Sequence, residues 1–88
     1  MSKLNLGKMI RQGRFKKGIT QQQLAEKLGY DSVMFISLME NNKSKVPLET
    51  LGKLIVILGL NLKEIKEGIK NDYSTYVDKQ IKEGQKAV

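Results

Sequence analysis

Lys3, Lys8, Arg11, Arg14, Lys16 and Lys17 all precede the first acidic residue, Glu26. Cations at this density, with no carboxylate among them, suit a polyanion, since each is available to neutralise a phosphate. The asymmetry runs through the first half of the chain. Residues 1–45 hold nine Lys/Arg against three acids and residues 46–88 seven against six, within a net charge of +7. On charge alone, a nucleic-acid partner and a merely solubilising basic surface are equally supported. Covalent chemistry is poorly supplied. The chain has no cysteine and no histidine, which removes disulfides, thiolate zinc sites and the commonest general base. No glycine-rich phosphate loop follows a strand pattern, and the acids are scattered among lysines, so no enzyme, metal site or cofactor is expected.

At 88 residues the chain is long enough for a single small core. No stretch approaches the roughly 20 apolar residues that span a bilayer, and the opening residues lack an apolar run with a cleavage site, so a cytoplasmic location and no membrane partner are expected. Binding to a membrane surface would need Leu6, Met9, Ile10 and Phe15, which a chain this small uses better as core. RNA is disfavoured because no aromatic stacking platform accompanies the charge.

The elements that must carry the cations are helical. Leu6, Met9, Ile10 and Phe15 stand near helical spacing, and Gly18 ends that first helix. Thr20 with Gln23 forms a capping box, and Leu24, Ala25 and Leu28 give a two-turn helix stopped by Gly29. Asp31 or Ser32 caps a third helix, with Phe35 or Ile36 facing inward alongside Met39, and it ends near Asn41–Asn42, where asparagine tolerates a left-handed backbone. Val46–Pro47 opens a fourth helix, buried through Leu48, Leu51, Leu54, Ile55 and Leu58. Asn61 caps a fifth, with Leu62, Ile65 and Ile69 inward and Gly68 weakening its end. Tyr73, Tyr76, Val77 and Ile81 can line a sixth. The expected organisation is all-α, with a domain over residues 1–70 and a helical or flexible extension over 71–88.

Several strings recur together and in order: Ile10-Arg11 and Arg14, then Thr20-Gln21-Gln22-Gln23-Leu24-Ala25-Glu26-Lys27-Leu28-Gly29, Ile36-Ser37, Glu40-Asn41-Asn42-Lys43, Pro47, and Leu58-Gly59-Leu60. From Leu6 to Ile69 the chain resembles the Cro/repressor-type (XRE-like) helix-turn-helix family of bacteria and phages. The resemblance implies a five-helix, lambda-repressor-like helix-turn-helix domain with a candidate sixth C-terminal helix. It also implies a regulator, most simply a repressor, that binds double-stranded DNA, as phage repressors, antitoxins and restriction controllers do.

What the resemblance implies for single residues is specific. Gln21, Arg11, Tyr30, Asn41, Lys43, Ser44 and Lys45 are the expected phosphate contacts, Gln21 aided by the amides and dipole of a helix N-terminus. Arg14 and Glu40 match a structural pair joining the first helix to the end of the recognition helix. The spacing departs from the family, since six residues separate Gly29 from Ile36 where five are usual. With Ile36 as anchor, Ser32, Val33, Met34, Ser37 and Leu38 face the bases, and three of the five are apolar where Gln, Arg, Asn or Lys would make bidentate contacts. Three accounts stand open: contact with thymine methyls, docking of a protein antagonist or toxin, or a register in which part of this face is core.

A single recognition helix reads only a few base pairs, so a homodimer on two half-sites about 34 Å apart is expected. In Ile55-Val56-Ile57 not every side chain can face one core, which makes Val56 or Ile57 an interface candidate. Tyr73, Tyr76, Val77 and Ile81 form the other, unless they pack back onto the domain.

Overall fold

A computed structural model describes residues 4–87, so Lys3 of the basic run and Val88 of the tail lie outside the described residues. The described chain is all-α: α1 Leu6–Lys17, α2 Gln21–Leu28, α3 Met34–Glu40, α4 Leu48–Leu58 and α5 Leu62–Ala87. It forms two compact units, Asn5–Asn61 and a second built on α5 that includes Leu4.

In the first unit the local signals act as their chemistry requires. The Thr20 hydroxyl accepts from the Gln23 amide at 3.0 Å, while the Gln23 side chain accepts from the Thr20 amide at 2.8 Å. Gly18 and Gly29 take left-handed φ values of 67° and 80°, and their amides bond back onto the ends of α1 and α2. Ile10, Leu24, Ala25, Leu28, Ile36, Met39, Leu54 and Leu58 make the core, with Ile57 and Tyr30 packed against it.

Several inward assignments are corrected. Phe15 is 64% exposed, because the inward face of α1 is Gly7, Ile10, Gly13 and Arg14. Two glycines and an arginine carry no apolar signal, so the stripe read from hydrophobicity was rotated toward Phe15. On α3, Ile36 is buried and Phe35 is exposed; on α4, Leu48 is exposed although Leu51, Leu54 and Leu58 are buried. Pro47 occupies the cap position of α4 and not its first turn, and Val33, not Asp31 or Ser32, precedes α3. Ser32 still serves that end, its hydroxyl accepting from the Met34 amide at 3.0 Å.

The second unit corrects the expected sixth helix. Gly68 does not end α5, which runs unbroken for 26 residues, with no proline after Pro47 and many Lys, Glu and Gln positions. The glycine serves packing: a β-carbon at position 68 would lie 2.8 Å from both Cβ and Cδ1 of Leu4. Ile65 is buried, whereas Leu62 and Ile69 are exposed.

Gly7 has a similar and more demanding role between α1 and α3. A β-carbon there would meet the Glu40 carbonyl, and would lie 2.7 Å from the Met39 carbonyl and 2.8 Å from Asn42 Oδ1. Asn42, at φ 56°, is the left-handed residue that the asparagine pair foretold. Its Oδ1 accepts from the Gly7 amide at 3.1 Å and its Nδ2 donates to Asn5 Oδ1 at 2.8 Å, while Asn5 Oδ1 also accepts from the Lys8 amide at 3.0 Å. The start of α1 is thus clasped to the end of α3 by backbone and amide groups that cannot retreat. Gly7→Ala is expected to cost about 1–3 kcal/mol and to lower Tm in a thermal melt followed by circular dichroism. Gly84→Ala, where an added β-carbon meets nothing within 4 Å, should leave Tm unchanged or raise it slightly.

Candidate nucleic-acid interface

The α2–turn–α3 segment is organised by one carboxylate. Glu40 stands in the last turn of α3 with its side chain at 0% exposure. Its Oε2 accepts from Arg14 Nε at 2.8 Å, and its Oε1 accepts from Arg14 Nη2 at 3.0 Å, Gln21 Nε2 at 3.3 Å and Arg11 Nε at 3.4 Å. Arg14 spends its remaining arm on the Ile19 carbonyl at 3.1 Å, which fixes the link into α2. Burial by itself would raise the Glu40 pKa. The hydrogen bonds from Arg14 and Gln21, the charge of Arg14 and the bond from Arg11 outweigh it, and the carboxyl is held below its ordinary range. Arg14 is correspondingly held further toward its charged form, chiefly by its hydrogen bond to Glu40.

Residues expected at phosphates are drawn into this cluster. Gln21 opens α2 and turns its amide to Glu40, and Arg11 joins Glu40 to Asn41, its Nη2 donating to Asn41 Oδ1 at 3.1 Å. Asn41 is anchored in turn, its Nδ2 donating to the Ser37 carbonyl at 2.8 Å. Lys43 and Lys45 are exposed in the loop after α3, with half-buried Ser44 between them bonded to the Lys45 carbonyl at 3.1 Å. Tyr30 is placed differently from a surface contact: it is half-buried and its hydroxyl pairs with that of Thr50 at 2.9 Å, bracing the turn against α4. An open groove of about 600 Å³ beside the cluster carries Lys8, Arg11, Gln12 and Asn41 on its walls, donors suited to anionic oxygen.

Of the residues expected to face bases, Met34, Ser37 and Leu38 lie on the outward side of α3 at i, i+3 and i+4. Met34 is 61% exposed, and Ser37 and Leu38 are half-buried. Ser32 and Val33 lie just before the helix, in the turn, and are exposed. Phe35 was missed as a surface residue. Its ring stands 5.3 Å from that of Tyr30 and remains half exposed, because Ile36 beside it takes the inward position. Among the dimer candidates, Val56 is exposed while Ile57 is half-buried against the core. Tyr73, Tyr76 and Ile81 are exposed and Val77 is half-buried.

Removing the carboxylate strands a nearly buried guanidinium. Glu40→Ala is expected to cost on the order of 3 kcal/mol, lowering Tm by more than about 10 °C. Because the folded pKa is depressed, the stabilisation is complete above the unfolded value of about 4.3 and is lost as pH falls through the folded value. Melts of wild type and Glu40→Gln should therefore differ most near pH 7 and converge only as pH falls through the depressed folded value. A Tm indifferent to Glu40→Ala would refute the assignment.

Among the described residues no cluster could hold a metal ion, and no helix is long and apolar enough to cross a membrane. No curated protein and no solved structure matches the chain. A helix-turn-helix family model matches residues 8–65, from Lys8 in the basic first helix to Ile65 in α5. With that match over most of the chain and the α2–turn–α3 geometry beneath it, the chain belongs to the Cro/repressor-type helix-turn-helix family of DNA-binding transcription regulators.

Proposed function

We propose that this chain is a transcriptional repressor that binds a palindromic operator as a homodimer, in the cytoplasm and on the nucleoid when DNA-bound. The observation that carries the reading is the exposed outward face of α3, followed directly by the cationic loop of Lys43 and Lys45. With α3 in the major groove, Met34 and Leu38 meet thymine methyls and Ser37 a base edge, while Ser32 and Val33 reach the bases from the turn. Phe35 adds a second apolar surface of the same kind. The N-terminus of α2 with Gln21, and the loop amides and cations from Asn41 to Lys45, hold the flanking phosphates. Repression then needs no chemistry: the bound dimer covers promoter DNA and excludes polymerase.

One observation favours a second reading. Val33, Met34 and Phe35 are three consecutive exposed apolar residues, a surface that a protein antagonist or toxin could cover. Selection from random double-stranded oligonucleotides at two salt concentrations separates the two. The repressor reading expects an A·T-containing palindrome whose affinity falls steeply as salt rises. Lys43→Ala and Lys45→Ala should each weaken all sequences alike and reduce the salt slope by about 0.9, whereas Met34→Ala should change the enriched bases and leave the slope intact. Recovery of weak, sequence-indifferent binding alone would replace the repressor reading with protein docking.

A further inference from the structure

Gly52 stands in the middle of α4, where glycine is the poorest residue for a helix apart from proline. Nothing among the described residues calls for it: its backbone is not left-handed, and a β-carbon there would meet none of their atoms within 4 Å. Gly7, Gly13 and Gly68 each make room for a neighbouring group, whereas Gly52, like Gly84 near the end of α5, faces open space, and Gly52 alone of the two stands between two large exposed apolar residues. One turn before it lies Leu48, 79% exposed, and one turn after it Val56, 82% exposed, the two most exposed large hydrophobic residues described. At i, i+4 and i+8 they form one outward stripe about 12 Å long, with a gap at its centre through which a second helix can approach closely.

We infer that this stripe is the seam between two copies of the chain, with α4 packed antiparallel to its twin about a two-fold axis near Gly52. The inference rests on the homodimer proposed above and deepens it by naming the surface. The occupant follows from charge. Glu49 and Lys53 flank the stripe on one side, both exposed, and neither forms an ion pair with any described residue. A two-fold axis at position 52 brings Glu49 of each copy to within two residues, about 3 Å along the helix, of the level of the other's Lys53, an offset these long side chains span, giving two reciprocal pairs from a single flank. The same axis lays Leu48 against the partner's Val56, the longer side chain beside the shorter, with the paired glycines between. A foreign helix would have to supply this self-complementary pattern by chance, while a second copy supplies it by symmetry.

Sedimentation equilibrium of the full chain without DNA tests the seam. Wild type is expected to be a dimer, and Val56→Glu to weaken it on the order of 100-fold, since symmetry places the substitution on both sides. Gly52→Ala should act with opposite signs, raising the Tm of dilute monomer while weakening the dimer about 10-fold. Glu49→Lys and Lys53→Glu should each weaken the dimer, and the double swap should restore it. A dimer untouched by Val56→Glu and Gly52→Ala would overturn the inference, as would a dimer that only Tyr73→Glu with Tyr76→Glu in α5 dissociates. A chain monomeric at every concentration would overturn it too. Failure of the DNA reading is seen separately: wild type would then bind no duplex, whatever its mass. If both hold, Val56→Glu should keep binding a single half-site and lose cooperative occupancy of the palindrome.

Discussion

The carboxylate of Glu40 is the point on which α1, α2 and α3 agree. A helix of seven residues does not hold itself together in water, so the direction of α3 depends on what fastens its two ends. Ile36 and Met39 press its inward side into the core, but apolar contact is non-directional and tolerates a helix that slides or rolls. Four hydrogen bonds from three side chains to one fully buried carboxylate do not. The arrangement is expensive in isolation, because burying an ion costs several kcal/mol before its partners are counted. It is sustained because Arg14 is itself held from a second side by the Ile19 carbonyl, so the partners arrive already positioned.

This has a consequence for the charge with which the chain meets DNA. Arg11 and Arg14 look from composition like part of a free basic stripe, yet Arg14 is buried against Glu40, and Arg11, although exposed, is tied to Glu40 and Asn41. The exposed cations of α1 and of the loop after α3 that no carboxylate holds are the lysines Lys8, Lys16, Lys17, Lys43 and Lys45. Lysine is a flexible, strongly hydrated point charge and arginine a rigid planar fork. The chain therefore spends its directional cations on structure and leaves its adaptable ones for a polyanion, where phosphate spacing varies with sequence and bend.

How much was legible in the sequence follows from the type of signal. Caps read well, because a capping box or a left-handed asparagine is decided by a few neighbouring atoms: Thr20–Gln23, Gly29 and Asn42 all stand as their chemistry requires. Apolar periodicity read well on α2, where Leu24, Ala25 and Leu28 are the buried face, and poorly on α1, where the buried face is glycine and arginine. The Arg14–Glu40 pair was available only through family resemblance, since nothing local in the sequence says that residues 26 apart will meet. Phe35 and the continuity of α5 were missed for opposite reasons. Two adjacent large apolar residues do not say which of them faces inward, while Gly68 looks like a terminator unless the side chain of Leu4 beside it is known.

The apolar outward face of α3 is less anomalous once the brevity of that helix is considered. Ile36, Met39 and Glu40 must face inward, and Asn41 is committed to the Ser37 carbonyl and to Arg11, so only Met34, Phe35, Ser37 and Leu38 remain to face outward. Long polar side chains there would carry more rotamer freedom, and at position 38 one would stand a turn before Asn41, already hydrogen-bonded to the cluster. Apolar side chains cannot compete for those donors and acceptors. The buried polar network and the largely apolar outward face of α3 are thus complementary: Ser37, the one polar residue there, joins the network by accepting from Asn41 Nδ2 at 3.4 Å, and Met34, Phe35 and Leu38 leave its hydrogen bonds unchallenged.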